Sequence, residues 1–200
     1  NPVWRKSELG RRLPDSDHAV SVALPTWEDV IAYEEKSPKC INSLKSIYPR
    51  FGLNPLVNDL NKHFNLNYVD KRFKAWPFPN KTIAMKAKIY CDKNTLSCNS
   101  HIKQKENIYF LVTSEEACLH AQYFWQHTGL GLSSREAAIS LGKESSPSKE
   151  LVKQSYKSIV NRISKFTHID TENIHLTSSG MSSLYTALEI IYEVFPKRPT

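Results

Sequence analysis

The stretch Ile174-His-Leu-Thr-Ser-Ser-Gly-Met-Ser-Ser-Leu-Tyr-Thr-Ala-Leu-Glu-Ile-Ile-Tyr-Glu-Val-Phe195 decides how the chain is read. A short β-prone run ends in small hydroxyl residues and Gly180. Met181, Leu184, Tyr185, Leu188, Ile191, Tyr192 and Phe195 then recur at helical spacing. The pattern predicts a strand, a tight turn and a helix. Glycine in such a turn lets backbone come close to a ligand. The first amides of a helix lack partners inside it and carry the positive end of its dipole, so the turn suits a phosphate. The same residues also suit an ordinary capped helix with no ligand, because serine is a favoured N-cap.

A second segment, Tyr48-Pro-Arg50-Phe-Gly-Leu-Asn54-Pro55, narrows the choice. Paired N–H donors on an arginine grip a phosphate, and a neighbouring phenol adds a further donor. Asn54-Pro55 then opens a helical pattern in which Leu56, Val57, Leu60 and Phe64 share one face, so that helix would hold Tyr48 and Arg50 at its base.

Taken together, the two segments resemble the pyridoxal-phosphate enzymes of cysteine and methionine metabolism: cystathionine γ-synthase, the cystathionine lyases and the homocysteine-forming sulfhydrylases. The family's Tyr-x-Arg pair followed by Asn-Pro is matched by Tyr48, Arg50, Asn54 and Pro55, and its Ser/Thr-Gly-Met by Ser179, Gly180 and Met181. In bacterial members the two motifs lie much closer together. The long interval here, with His18-Ala-Val-Ser-Val-Ala-Leu-Pro-Thr-Trp27 and Phe124-Trp-Gln-His-Thr-Gly129-Leu-Gly-Leu-Ser-Ser-Arg135, looks like the insertion of the fungal cystathionine γ-synthases.

The resemblance implies an α/β fold, the N-terminal part of a fold-type I pyridoxal-phosphate transferase of the aminotransferase-like kind, with an inserted β-α segment. It implies pyridoxal 5'-phosphate as cofactor, with Ser179, Gly180 and Met181 at its phosphate and Tyr48 and Arg50 reaching that phosphate in a neighbouring subunit of a homo-oligomer. The expected divisions are an arm and inter-subunit segment over 1–66, a family-specific insertion over 67–149, and the start of a large cofactor-binding domain over 150–200. The reaction implied joins cysteine to an O-succinyl- or O-acetylhomoserine, cysteine sulfur replacing the γ acyl group, with the cofactor as electron sink. The family's Schiff-base lysine and ring-binding residues follow the Gly-Met turn and have no counterpart here. The chain therefore reads as the N-terminal part of a longer enzyme, with no catalytic residue of its own and no activity alone. Lyase and sulfhydrylase share both motifs and stay open as alternatives; the insertion favours the synthase.

Composition sets wider bounds. Two hundred residues with 40% hydrophobic content suffice for one core and part of another. The absence of a signal-peptide pattern, a long apolar run or a tight cysteine framework points to a reducing, cytoplasmic setting, nuclear presence being left open. The net charge of +7 raises a nucleic-acid reading. Ten basic residues from Lys62 to Lys105, interleaved with Phe73, Trp76 and Phe78, could form a phosphate-tracking surface with stacking rings. A solvated insertion surface is the favoured reading because no base-reading motif is present, so nucleic acid is not the expected partner. That basic surface is the competing, non-catalytic interaction module. Cys91, Cys98 and His101 lack the close cysteine pairs of structural zinc sites, and no metal is expected.

Element by element, residues 1–17 read as a weakly ordered arm. A helix capped by Thr26 follows, then a short helix over Ile41–Ile47. Tyr68–Asn80 reads as a loop. Thr82–Tyr90 and Asn107–Val112 read as β-like, and a helix capped by Ser114 runs to a break at Gly129–Arg135. Trp125, His127, Ser133, Ser134 and Arg135 near that break look site-like, although packing and capping account for them. The serine-rich tract Lys143–Lys149 is the clearest linker, and a helix runs from Leu151 toward Phe166.

Overall fold

Asn54 and Pro55 start the helix that the core is laid against. In the computed structural model, which describes residues 8–48, 51–96 and 99–195, the Asn54 side chain accepts from the Leu56 amide. Pro55 takes the first helical position of α3 (Pro55–Tyr68), where a missing N–H costs nothing. Leu56, Val57, Leu60 and Phe64 are buried along one face, as their spacing predicts.

A three-stranded antiparallel sheet packs on α3, built from β3 (Phe73–Phe78), β4 (Ser100–Lys105) and β5 (Ile108–Ser114) in the order β3-β5-β4. Phe78 opposes Tyr109 and Pro77 opposes Phe110, while Lys105 opposes Ile108 across a short hairpin. The central strand β5 is covered on both faces. Phe64 of α3 stacks on Phe110 with centroids 3.6 Å apart, and on the other face Phe124 meets Phe78 edge-on at 6.0 Å. Phe124 belongs to α5 (Glu115–Thr128), which packs beside α4 (Lys81–Asn94). The result is a helix–sheet–helix layering, a mixed α/β architecture, with one core drawn from Leu53 to Leu141.

Two expectations fail here. Thr82–Tyr90 is helix, not strand: Asn80 accepts from the Ile83 amide as N-cap, and the buried positions Ala84, Ala87 and Cys91 are small residues at helical spacing. Alanine is the best helix former, and its weak hydrophobic contrast hides the period behind the alternation of Ile83, Met85 and Ile89. Tyr68–Asn80 contains strand β3 rather than only loop. Pro77 is tolerated because β3 is an edge strand, with a neighbouring strand on one side only.

Around this body run β1 (Arg12–Leu13) and β2 (Ser21–Val22), a two-stranded pair. The helix α1 (Trp27–Glu34) starts in a Thr26–Asp29 capping box, and α2 (Pro38–Ser43) lies earlier than the helix expected over 41–47. Residues 8–17 are tied down rather than loose: Gly10 donates to the Ala23 carbonyl, Arg12 pairs with Asp17, and Asn54 Nδ2 donates to the Asp17 carbonyl. Past the sheet come α6 (Ser134–Ser140), α7 (Lys149–Thr167), a single 3-10 turn (Thr171–Asn173) and α8 (Gly180–Val194). Ile174 is extended, but the strand expected from Ile174 joins no sheet among the described residues. No helix among them is long and apolar enough to cross a membrane.

Candidate functional site: the first turn of the last helix

The turn before α8 is built from hydroxyl groups. Ser179, in extended backbone, accepts from the Ser182 amide at 3.1 Å, and Ser182 Oγ accepts in return from the Ser179 amide at 2.9 Å. This reciprocal box fixes the third helical amide, and Ser183 N reaches the Ser179 carbonyl at 3.0 Å. Thr177 Oγ1 adds a bond to that same carbonyl at 2.9 Å. The amides of Gly180 and Met181 are left over, making no hydrogen bond among the described residues. A Cβ at Gly180 would meet nothing within 4 Å, so the space over the turn is open. No acidic residue stands in the first turn to offset the positive helix end. These features fit a phosphate such as that of pyridoxal phosphate, held by the Gly180 and Met181 amides.

One side of the turn is not open. Gly129, the left-handed C-cap of α5, offers its carbonyl to Ser178 Oγ at 3.4 Å and Ser179 Oγ at 3.3 Å. Its place as a helix breaker is legible in the sequence; its contact with the turn is not.

Tyr48 lies elsewhere. It is half-exposed, its ring is tilted 6.3 Å from Phe51, and its carbonyl accepts from the amides of Phe51 and Gly52. Phe51 in turn meets Tyr33 edge-on at 5.3 Å. Arg50 lies outside the described residues. No hydrogen bond or ring contact joins Tyr48 to the 179–181 turn among those that are described.

Beside the turn, α4, α5 and α8 enclose an open, mostly apolar groove of about 450 Å³ that pattern reading missed. Glu189 is its polar centre, accepting from Lys86 Nζ at 2.5 Å and from the Tyr185 hydroxyl at 3.0 Å. Burial, then the bond to Glu189 and its charge, push the Tyr185 phenol up to about 12. The i, i+4 spacing of Tyr185 and Glu189 is the one sequence signal of this pair.

The residues picked out near the helix break disperse. Trp125 is core and sits under Gly131, where a Cβ would come within 2.2 Å of the indole nitrogen. His127 is exposed on α5, its ring 6.0 Å from that of Tyr123. Ser133 caps α6 through a box with Glu136. The histidine that meets a serine is His18, with Nδ1 3.0 Å from Ser134 Oγ and Nε2 2.6 Å from Glu144 Oε1, a tether between the N-terminal segment and the linker. The rings interleaved among the basic residues belong to the body of the fold. Phe78 is fully buried, and Phe73 and Trp76 pack against the core. Lys86 and Lys88 pair with Glu189 and Asp92, and Lys103 donates to the Tyr68 carbonyl.

No family model matches the chain, and no solved structure matches it. Relatives are found among curated fungal proteins. A Saccharomyces cerevisiae protein carrying a provisional cystathionine gamma-synthase name is 32% identical over 169 residues, 72% of this chain and 26% of the relative. The cystathionine gamma-synthase of the same yeast is 28% identical over 62% of this chain and 22% of its own length. That of Neurospora crassa is 26% identical over 68% and 26% respectively. The chain thus spans about a quarter of the length of the curated relatives it matches. Over the part that these relatives cover, the chain belongs to a cystathionine gamma-synthase-like family.

Proposed function

We propose that this chain supplies the phosphate-binding turn and the inter-subunit contact of a pyridoxal-phosphate-dependent γ-replacement enzyme of fold-type I. The enzyme joins cysteine to an activated homoserine ester, O-succinyl- or O-acetylhomoserine, to make cystathionine. The observation that carries the reading is the pair of unpartnered amides at Gly180 and Met181, under open space, at a helix end with no acidic residue. Bound there, pyridoxal phosphate supplies an electron sink for the amino-acid substrate. The chain's own part is orientation: Ser179 shapes the turn through its cap, and Gly180 and Met181 hold the phosphate. Tyr48 and Arg50 complete the site of a second copy across a homo-oligomer. The half-exposed phenol of Tyr48, unbonded to the turn of its own chain, supports that assignment.

The test is to express the complete protein, look for visible absorbance from bound cofactor, and replace Arg50. Loss of a charge-assisted phosphate contact is expected to weaken cofactor retention about tenfold or more in Arg50→Ala. Mixed oligomers with a subunit lacking the catalytic lysine should recover activity, because the contact crosses subunits. Unchanged retention would remove the assignment. Substrate assays on the same protein separate the synthase from the lyase and sulfhydrylase readings, which share both motifs.

A further inference from the structure

We infer that Gly129 is a positioning residue for the phosphate turn, so that the 67–149 segment is built into the cofactor site rather than appended to it. The inference rests on the cofactor reading above. Three features meet at Gly129. Its φ of +66° is a left-handed conformation that only glycine adopts without strain. Its carbonyl, one of those that α5 cannot satisfy internally, accepts from the hydroxyls of Ser178 and Ser179. Its α-carbon is so close to α8 that an added Cβ would lie 2.6 Å from Ser179 Oγ and 2.8 Å from both Met181 Cβ and the Ser182 nitrogen.

The contact falls on the residues that shape the anion site. Ser179 Oγ is the cap of α8, and Met181 carries one of the two amides aimed at the phosphate. An exposed first turn frays readily when nothing packs on it. Seating it on the end of α5, which is anchored in the core through Ala117, Ala121 and Phe124, orders the amides before any ligand arrives. Less ordering entropy is then lost on binding.

The molecule provides a matched control. Gly142 has nearly the same backbone angle, φ +70°, yet a Cβ there meets nothing within 4 Å. Alanine at 142 carries the left-handed strain alone, whereas alanine at 129 carries the strain and pushes on the turn. The experiment uses the complete protein as wild type, Gly129→Ala, Gly142→Ala and Ser178→Ala. The dissociation constant for pyridoxal phosphate is measured by equilibrium dialysis, and the resonance of its bound phosphate by phosphorus NMR.

Gly129→Ala is expected to weaken binding about tenfold, equivalent to about 1.4 kcal/mol, and to shift the phosphorus resonance. Gly142→Ala should stay within about twofold of wild type with an unmoved resonance, and Ser178→Ala should lose about two- to threefold for its two weak hydrogen bonds, to the Gly129 carbonyl and to Ser182 Oγ. Equal affinities and resonances for the Gly129 and Gly142 variants would overturn the inference while leaving the cofactor reading intact. A wild-type protein that binds no cofactor would overturn both. If Gly129→Ala yields no folded protein, Ser178→Ala decides, and wild-type affinity with an unmoved resonance overturns the inference.

Discussion

Phe110 in β5 is 1% exposed and lies face to face with Phe64, whereas Leu184, Tyr192 and Phe195 at the end of the chain are 58%, 58% and 63% exposed. Both regions are amphipathic by pattern. The body from Leu53 to Leu141 closes its apolar faces on itself. On α7, Leu151, Val152, Tyr156, Ile159 and Phe166 face outward and Val160 is the single buried residue; on α8 only Ser182 is buried. Helical spacing thus announces that a face is apolar but says nothing of what covers it. α8 is held at its first turn by Gly129 and along its side by Glu189 and Tyr185, and its outer face carries no such anchors.

The contrast can be broken from its closed side first. Phe110→Ala is expected to destabilise the chain by about 3–5 kcal/mol, the cost of an aromatic cavity in a core, read by thermal or denaturant unfolding. A loss below about 1 kcal/mol would mean that the sheet is not the stabilising body. The seam between the two regions gives a middle-sized effect. Tyr185 has its phenol raised from 10.0 to about 12, so the neutral form is the one the folded state favours. Its stabilisation is fully present below pH 10 and is lost as pH rises toward about 12. Tyr185→Phe should cost about 1 kcal/mol at neutral pH and remove that alkaline loss, checked by phenolate absorbance and by unfolding as a function of pH. A phenol titrating near its ordinary value would detach α8 from the groove. The smallest effect belongs to the outer face. Leu188→Ala should change the stability of this 200-residue chain by less than about 0.5 kcal/mol, as at other exposed positions. In the complete protein it should cost about 2 kcal/mol or more if the remainder covers that face. Equal small costs in both would mean the face stays open.

Much of the body was legible because its signals are local. Thr26 with Asp29, Asn54 with Pro55, and Gly129 mark helix ends through side-chain caps, a fixed proline φ and a left-handed residue, all chemistry of adjacent positions. α4 was not, because its buried stripe is Ala84, Ala87 and Cys91, too weakly hydrophobic to show a period. β3 was not, because Pro77 reads as a break unless the strand is known to lie at an edge, which only the pairing reveals. The run from Ile174 has strand-like residues, yet a strand requires a neighbour that no local pattern names. At the candidate site, the hydroxyl cap and the glycine were readable from Ser179 and Gly180, while the seat on Gly129, fifty positions earlier, is a tertiary contact with no local trace.

Pro77 has a further consequence. The open backbone edges of a small sheet invite further strands, and natural proteins blunt them with proline and charge. Here β3 presents a residue with no N–H to offer, and the opposite edge, β4, carries His101, Lys103 and Lys105. Both margins therefore disfavour pairing with a strand of another copy.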